Sequence, residues 1–275
     1  MTVLVSGTPD YTMGFSEEYL QALRRFSAES HAGHLLPYLR PGLRVLDFGC
    51  GPGAISAGLA TAIAPGELHG VDVEESQVAL ARAVARAGKH ANAIFHVADV
   101  TDLPFEDGFF DAAHGHSILT HVPDTHAALA EVKRVLKPGG ILSCREMICE
   151  SSFTYPDFGV IRNSWDMFED LLVADDGHPQ MGKEIKGHLV QAEFENIRVS
   201  ASFSAYSTPE DIAFIYGLAN QWFLSPEITE AAIKYGASTE ELCNDIRASY
   251  DKWKRHPGAF CAIAYGEAIA DKPLY

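Results

Sequence analysis

The chain has no cysteine pair at metal-ligand or redox spacing, no apolar run of membrane length and no excess of basic charge. Its five cysteines, Cys50, Cys144, Cys149, Cys243 and Cys261, are scattered. That pattern favours free thiols in a reducing compartment over a disulfide framework or a zinc site. The richest apolar stretch, Ala54 to Ala64, is broken by Ser, Gly and Thr, far short of the roughly 18 apolar residues of a membrane span. Lys and Arg number 21 against 37 Asp and Glu, a net charge of −16 at pH 7. A field of that sign repels phosphate backbones and anionic lipid headgroups, so no nucleic acid partner is expected. The first ten residues, MTVLVSGTPD, hold an acid and no base, unlike a secretory signal. A cytoplasmic protein without a membrane span is the expectation. Repeats and low-complexity tracts are also missing.

What is present is an alternation of strands and helices. With 275 residues, 47% of them hydrophobic, the chain can bury one sizeable core. Residues Phe15 to Leu39 show helical periodicity. Short apolar runs at Leu43 to Phe48, Leu68 to Asp72, Ala93 to Val97, Asp111 to Ile118 and Ile141 to Ile148 read as strands. Helical stretches Ala54 to Ala64, Glu75 to Ala87 and His126 to Leu136 separate them, the last closed by a turn at Lys137-Pro138-Gly139-Gly140. This rhythm predicts an α/β fold with a mostly parallel, doubly wound sheet. Beyond it, an aromatic-rich helix from Phe153 to Asp176, a helix from Lys183 to Glu193, a strand from Ile197 to Tyr206, helices between Pro209 and Lys254, and a last strand from Phe260 to Ala268 are expected. The connections are too long for ordinary loops and predict a helical lid. The expected layout is one domain over 1–275: a helical cap at 1–40, a cofactor-binding core at 41–149, lid segments at 150–193 and 208–257, and a final strand and tail at 258–275.

The stretch that carries chemistry is Val45-Leu46-Asp47-Phe48-Gly49-Cys50-Gly51-Pro52-Gly53. A strand ends, glycines bend the backbone and a helix begins with free N–H groups, at the usual ligand crevice of an open α/β sheet. Gly49-x-Gly51-x-x-Ala54 with Asp72 further on also satisfies a dinucleotide fingerprint, a weak signal by itself. Asp47 separates the two readings. A carboxylate beside the turn repels a pyrophosphate but favours the sulfonium and ammonium of S-adenosylmethionine.

Beyond the turn, the chain resembles class I S-adenosylmethionine-dependent methyltransferases of the UbiE/COQ5-like (type 11) group. The shared features are VLDFGCGPG at Val45 to Gly53, GVD ending at Asp72, ADVTDLPFEDGFFD at Ala98 to Asp111, SILTHVPD at Ser117 to Asp124 and EVKRVLKPGG at Glu131 to Gly140. The resemblance covers about residues 40–150 and implies a Rossmann-like, seven-stranded sheet with S-adenosyl-L-methionine as cofactor and S-adenosyl-L-homocysteine as product. By it, Asp47 and the backbone of Gly49, Cys50 and Gly51 face the methionyl moiety. Asp72 accepts from the ribose hydroxyls, Val73 packs on adenine, Asp99 receives the adenine amino group, and the Val100 N–H meets a ring nitrogen. His116 touches the methionyl end, where relatives more often carry Asn or Ser. The bland alternative at each acid is a helix cap or solvated turn. Tyr11 and Met13, ahead of the first helix, are further candidates for closing over the methionyl end.

Twelve histidines invite a metal, but neither His114/His116 nor His31/His34 has a clear third ligand, and no metal is expected. Methyl transfer needs little from side chains. Near-attack positioning can supply about 7–11 kcal/mol, whereas a general base adds about 10²–10⁴-fold. His121, following the fourth strand, is the candidate base because imidazole titrates near neutrality; packing is its bland alternative. Aromatics crowd two segments, Phe153, Tyr155, Phe158, Trp165 and Phe168, then Phe214, Tyr216, Trp222, Phe223 and Tyr235. At helical spacing such residues are more often core, yet they could wall an apolar cavity for a small ring-bearing or lipid-like acceptor. The leading reading is in-line methyl transfer to a small, apolar or aromatic acceptor. A cofactor-binding protein without methyl transfer, such as a cyclase or inactive partner, and an NAD-dependent oxidoreductase are the alternatives. A homo-oligomer is left open.

Overall fold

A computed structural model describes residues 25–275. In chain order the described elements are α1 (Ala28–His31), β1 (Arg44–Phe48), α2 (Ala54–Ile63), β2 (Glu67–Asp72), α3 (Glu75–Gly88), β3 (Ala93–Val97), β4 (Phe110–His116), α4 (Thr125–Val135) and β5 (Leu136–Tyr155). They continue with α5 (Ile161–Ala174), α6 (Met181–Gln191), β6 (Glu195–Tyr206), α7 (Pro209–Trp222), α8 (Pro226–Tyr235), α9 (Glu240–Trp253) and β7 (Phe260–Asp271). Four consecutive buried residues in β1 and four in β2 mark strands covered on both faces, which is why their sequences do not alternate.

The sheet runs β3-β2-β1-β4-β5-β7-β6. β7 is antiparallel to β5 and β6, and the other pairings are parallel. This is the expected α/β, Rossmann-like, seven-stranded and mostly parallel sheet. The chain steps outward from β1 to β3 and then returns to β4 beside β1. The order therefore reverses between β1 and β4, and a crevice opens at their carboxyl ends.

Three apolar clusters hold these layers. One joins α1, α2 and α3 to the sheet through Leu35, Leu59, Ile63 and Val78. A second joins α4 and α6 to the other face through Leu129, Val132, Ile185 and Leu189. The third lies among α5, α7, α8 and α9, with Trp165, Phe168, Trp222, Tyr250 and Trp253. Local signals set the ends of these helices. Asp124 caps α4 by accepting from the Ala127 N–H at 2.8 Å, and Thr208 and Asp211 form a reciprocal capping box at the start of α7.

Several expectations need correction. Within the described residues the first helix is not continuous to Leu39. α1 spans four residues, and a separate 3-10 turn, Leu36–Tyr38, follows it with Pro37 in its first positions, where the missing N–H costs nothing. The Lys137 to Gly140 stretch lies inside β5 as an irregularity: Phe110 pairs with Leu136 but Ala112 with Ile141. Phe153 to Tyr155 extend β5 along β7 instead of opening a helix. Finally, α6 packs on β5 and β7 and lines no part of the crevice, so this piece of 150–193 is a sheet-covering helix.

The contact of α6 with β7 is backbone against backbone. A Cβ on Gly266 would overlap the Gly182 carbonyl oxygen, and one on Gly182 would reach the Gly266 nitrogen at 2.6 Å. Gly266→Ala is expected to destabilise the fold by about 1–3 kcal/mol, as overpacking does. Urea unfolding checks it, and an unchanged midpoint would show that the helix can shift away freely.

Candidate active site

The crevice is a cavity of about 500 Å³, at the scale of small-molecule sites. Its floor is the turn after β1. Gly49, Gly51 and Gly53 hold φ of 70°, 49° and 81°, a region that favours glycine. A Cβ on Gly49 would also meet the Ile118 side chain at 2.7 Å. The Gly51 N–H donates to Asp72 Oδ2 at 2.9 Å, and the Glu74 N–H to Asp72 Oδ1 at 3.0 Å. The Asp72 carboxylate is thus clamped between two loops, with lone pairs left for a ligand. Burial raises its pKa, while the two backbone donors pull it down.

Beside it, Val73 is 54% exposed and lends the cavity an apolar wall. Asp99 and Val100 come from the loop after β3. Asp99 Oδ1 accepts from the Thr101 N–H and from Thr101 Oγ1, both at 2.8 Å, and Val100 is buried beneath. Gly49, Cys50, Gly51, Asp72, Val73, Asp99, Val100, His116 and His121 therefore all line one cavity. Burial pushes the Cys50 thiol well up, so it lines the wall as a neutral group. Tyr11 and Met13 lie outside the described residues.

Asp47 behaves otherwise. It is 2% exposed, does not line the cavity, and accepts a short hydrogen bond from Ser56 Oγ. Burial lifts its pKa to about 7, so near neutrality it is not a fully formed anion facing the ligand. It braces β1 against α2 from beneath. The discrimination against a pyrophosphate comes from the lining itself. Among the described residues that lining includes Asp72, Glu74, Asp99, Asp124 and Asp175, and no Lys or Arg. Such a wall favours cations and disfavours phosphates.

His121, the candidate base, lies in the 3-10 turn Leu119–His121 and lines the cavity. Burial pushes its pKa down to about 4. The near-neutral titration expected of it is absent, and its conjugate acid is too strong for it to be an effective base at pH 7. His116 is also held well below its usual range, by burial first and then by Arg145. No group of three or more His, Cys, Asp or Glu side chains able to hold a metal occurs among the described residues.

Two site residues escaped the sequence reading. Gln77, on α3, is 3% exposed, lines the cavity, and leaves both its amide oxygen and nitrogen without a hydrogen-bond partner among the described residues. Its signal was a polar residue on the buried stripe of an amphipathic helix, shared with Val78, Ala81 and Ala85. Glu146, buried in β5, accepts from the N–H groups of Ile118 (3.3 Å), Leu119 (3.1 Å) and Thr120 (3.1 Å), and from Thr120 Oγ1 (2.9 Å). It thereby fixes the loop that carries Ile118 and His121 into the cavity. Its signal was the Arg145-Glu146 pair between the apolar Ile141-Leu142 and Met147-Ile148 of one strand.

A glycine-bent turn at the switch point, a clamped acid at the end of β2 and a second acid after β3 define a nucleoside-binding α/β enzyme whose ligand carries positive charge. Residues 39–196 match the model of the methyltransferase domain family; the chain belongs to that family and is an S-adenosylmethionine-dependent methyltransferase. It is 29% identical over 92% of its length, and 96% of the relative's, to the uncharacterized methyltransferase C1B3.06c of Schizosaccharomyces pombe. It is 32% identical to the demethylmenaquinone methyltransferase of Staphylococcus aureus, over 58% of this chain and 71% of that one. Among solved structures it is similar in fold to YcgJ from Bacillus subtilis, with TM-score 0.60 at 18% identity, covering 88% of this chain and 97% of the other.

The pKa of Glu146 is lifted to about 7, by burial against the pull of its four donors. A carboxyl group raised on folding binds more protons folded than unfolded, so its contribution is greatest below its unfolded pKa and is lost as pH rises through 7. Between pH 5 and 7.5 the unfolding free energy of the wild type, from urea titrations, should therefore fall relative to that of Glu146→Gln, by up to about 1.4 kcal/mol per pH unit. Parallel pH profiles would mean that Glu146 ionises normally.

Proposed function

We propose that this enzyme transfers the methyl group of S-adenosyl-L-methionine in line to a small, largely apolar or aromatic acceptor. The observation that carries the reading is the continuity of one cavity. It runs from Asp72 and Asp99, past His116, to a wall of Met147, Leu172, Tyr206, Phe214, Leu218, Trp222, Ile263 and Tyr265. One end is acidic and hydrogen-bonding, and the other is apolar and aromatic.

The residues at the acidic end fit the cofactor. The orphaned Gln77 amide and the clamped Asp72 carboxylate suit the ribose hydroxyls, each offering groups that ribose can satisfy. Val73 gives adenine an apolar face, and Asp99 with the Val100 backbone suits its hydrogen-bonding edge. The backbone of Gly49, Cys50 and Gly51, with no Cβ in the way at its two glycines, lets the methionyl chain lie close. When bound, the cofactor supplies a methyl group on a sulfonium, an electrophile with its leaving group already in place.

The remaining work is positioning and exclusion of water. The loop fixed by Glu146 and the helix α7 wall bring an acceptor to the methyl, an effect that can reach about 7–11 kcal/mol. No strong base is assigned. Of the sequence candidates, His121 is read as a neutral wall residue. Residues 208–257 serve as the lid over the acceptor end, and kinship with the quinone-methylating group rests on the shared motifs.

Two measurements test this. S-adenosylhomocysteine release, followed while a panel of apolar metabolites is screened by mass spectrometry, should identify a methylated product; no release with any member would remove the transferase reading for apolar acceptors. Asp72→Ala should weaken S-adenosylhomocysteine binding at least tenfold by calorimetry, about 1.4 kcal/mol, with an unchanged circular dichroism spectrum. Unchanged affinity would remove the ribose assignment.

A further inference from the structure

His116 ends β4, the strand standing between the cofactor crevice at β1 and β2 and the aromatic half built on β5, β7 and β6. Its imidazole lines the cavity, and among the described residues neither ring nitrogen makes a hydrogen bond of good geometry, although the Arg145 backbone approaches the ring. A buried polar atom left unpaired costs about 1–3 kcal/mol, so two on one ring are a standing deficit that a bound molecule can remove. The ring's neighbours locate it. It lies 5.4 Å from Phe26, 4.9 Å from His31 and 5.5 Å from Tyr265, centroid to centroid. Phe26 and Tyr265 both line the cavity, and Tyr265 belongs to the acceptor wall. The side chain therefore leans towards the apolar half, while its backbone stays at the crevice.

We propose that His116 is the polar anchor of the acceptor subsite, and that the acceptor is a mainly apolar, ring-bearing molecule with a hydroxyl group that hydrogen-bonds to its imidazole. This deepens the function proposed above and rests on it. A neutral imidazole has one N–H and one lone pair, so it can pair with a hydroxyl as donor or acceptor. Burial first, and then the charge of Arg145, keeps the ring neutral. Its guanidinium is itself buried, stacks 3.6 Å from the Tyr265 ring centre and pairs with Glu267 at 3.3 Å. The surrounding wall is mainly aromatic and aliphatic, so a hydrogen bond to the imidazole gives the acceptor a direction that burial alone does not.

The test uses 2-naphthol and naphthalene as probes of the protein saturated with S-adenosylhomocysteine, read by calorimetry. The wild-type complex should bind 2-naphthol at least tenfold more tightly than naphthalene. His116→Phe should abolish that preference when each protein is saturated with S-adenosylhomocysteine, and His116→Gln, which keeps a donor and an acceptor, should retain part of it. Thermal unfolding confirms that each variant is folded. A preference that survives in His116→Phe, a wild type that binds neither probe or does not discriminate, or a loss confined to S-adenosylhomocysteine binding would each overturn the anchor. A wild type that fails to bind S-adenosylhomocysteine would instead sink the function on which it rests.

Discussion

The hydrogen bond from the Gly51 N–H to the Asp72 carboxylate is the constraint on which the site depends. It ties the turn after β1 to the end of β2 across the bottom of the crevice, and the Glu74 N–H completes the clamp from the other side. The carboxylate is held where its remaining lone pairs face the cavity. The glycine turn in turn keeps the shape that its positive φ angles require. Lose that bond, and both the cofactor floor and the entry to α3, with Gln77 on it, lose their reference point.

Two other acids lie beneath the cavity and do not line it. Asp47 joins β1 to α2 through Ser56, and Glu146 gathers the loop after β4 through three backbone N–H groups and a hydroxyl. Both are fully buried with pKa values lifted to about 7, so the framework contains protonatable struts, while the cavity wall carries more exposed acids in Asp99, Asp124 and Asp175. That division explains how a strongly acidic protein can place negative potential on a cationic ligand without loading its core with fixed charge. Burial of a full charge is expensive, and a carboxyl group that stays partly protonated avoids much of that expense.

The central sheet could be read from the sequence because its signals are local. β1, β2 and β3 are short apolar runs ended by Gly or Asp, and α3 and α4 carry clean amphipathic stripes. Asp72, Val73, Asp99 and Val100 fall at strand ends, where topology alone puts them at one edge. The reading failed where tertiary pairing overrides local pattern. Phe153 to Tyr155 look like the start of an aromatic helix until β7 supplies them with hydrogen-bond partners. Asp47 looks like a ligand contact until Ser56 is seen to take its carboxylate. His121 looks like a base until its burial is known, since a pKa depends on surroundings that sequence does not display. Gln77 and Glu146 were visible only as polar residues in buried stripes, a weak signal until their partners, or the lack of them, can be counted.

The aromatic segments show how the two halves of the molecule divide their labour. Trp165, Phe168 and Phe223 pack into the core of the outer helical layer, Tyr235 is exposed, and Tyr216 donates its hydroxyl hydrogen to Asp251 at 2.7 Å. Phe214 and Trp222, one at each end of two turns of α7, are the members of those segments that line the cavity. A single helix thus supplies both cavity-lining aromatics of those segments, while Trp165, Phe168 and Phe223 fill the layer behind it. Packing there matters because the electrophile needs no activation. What the protein can still contribute is the distance and angle at which an acceptor meets the methyl.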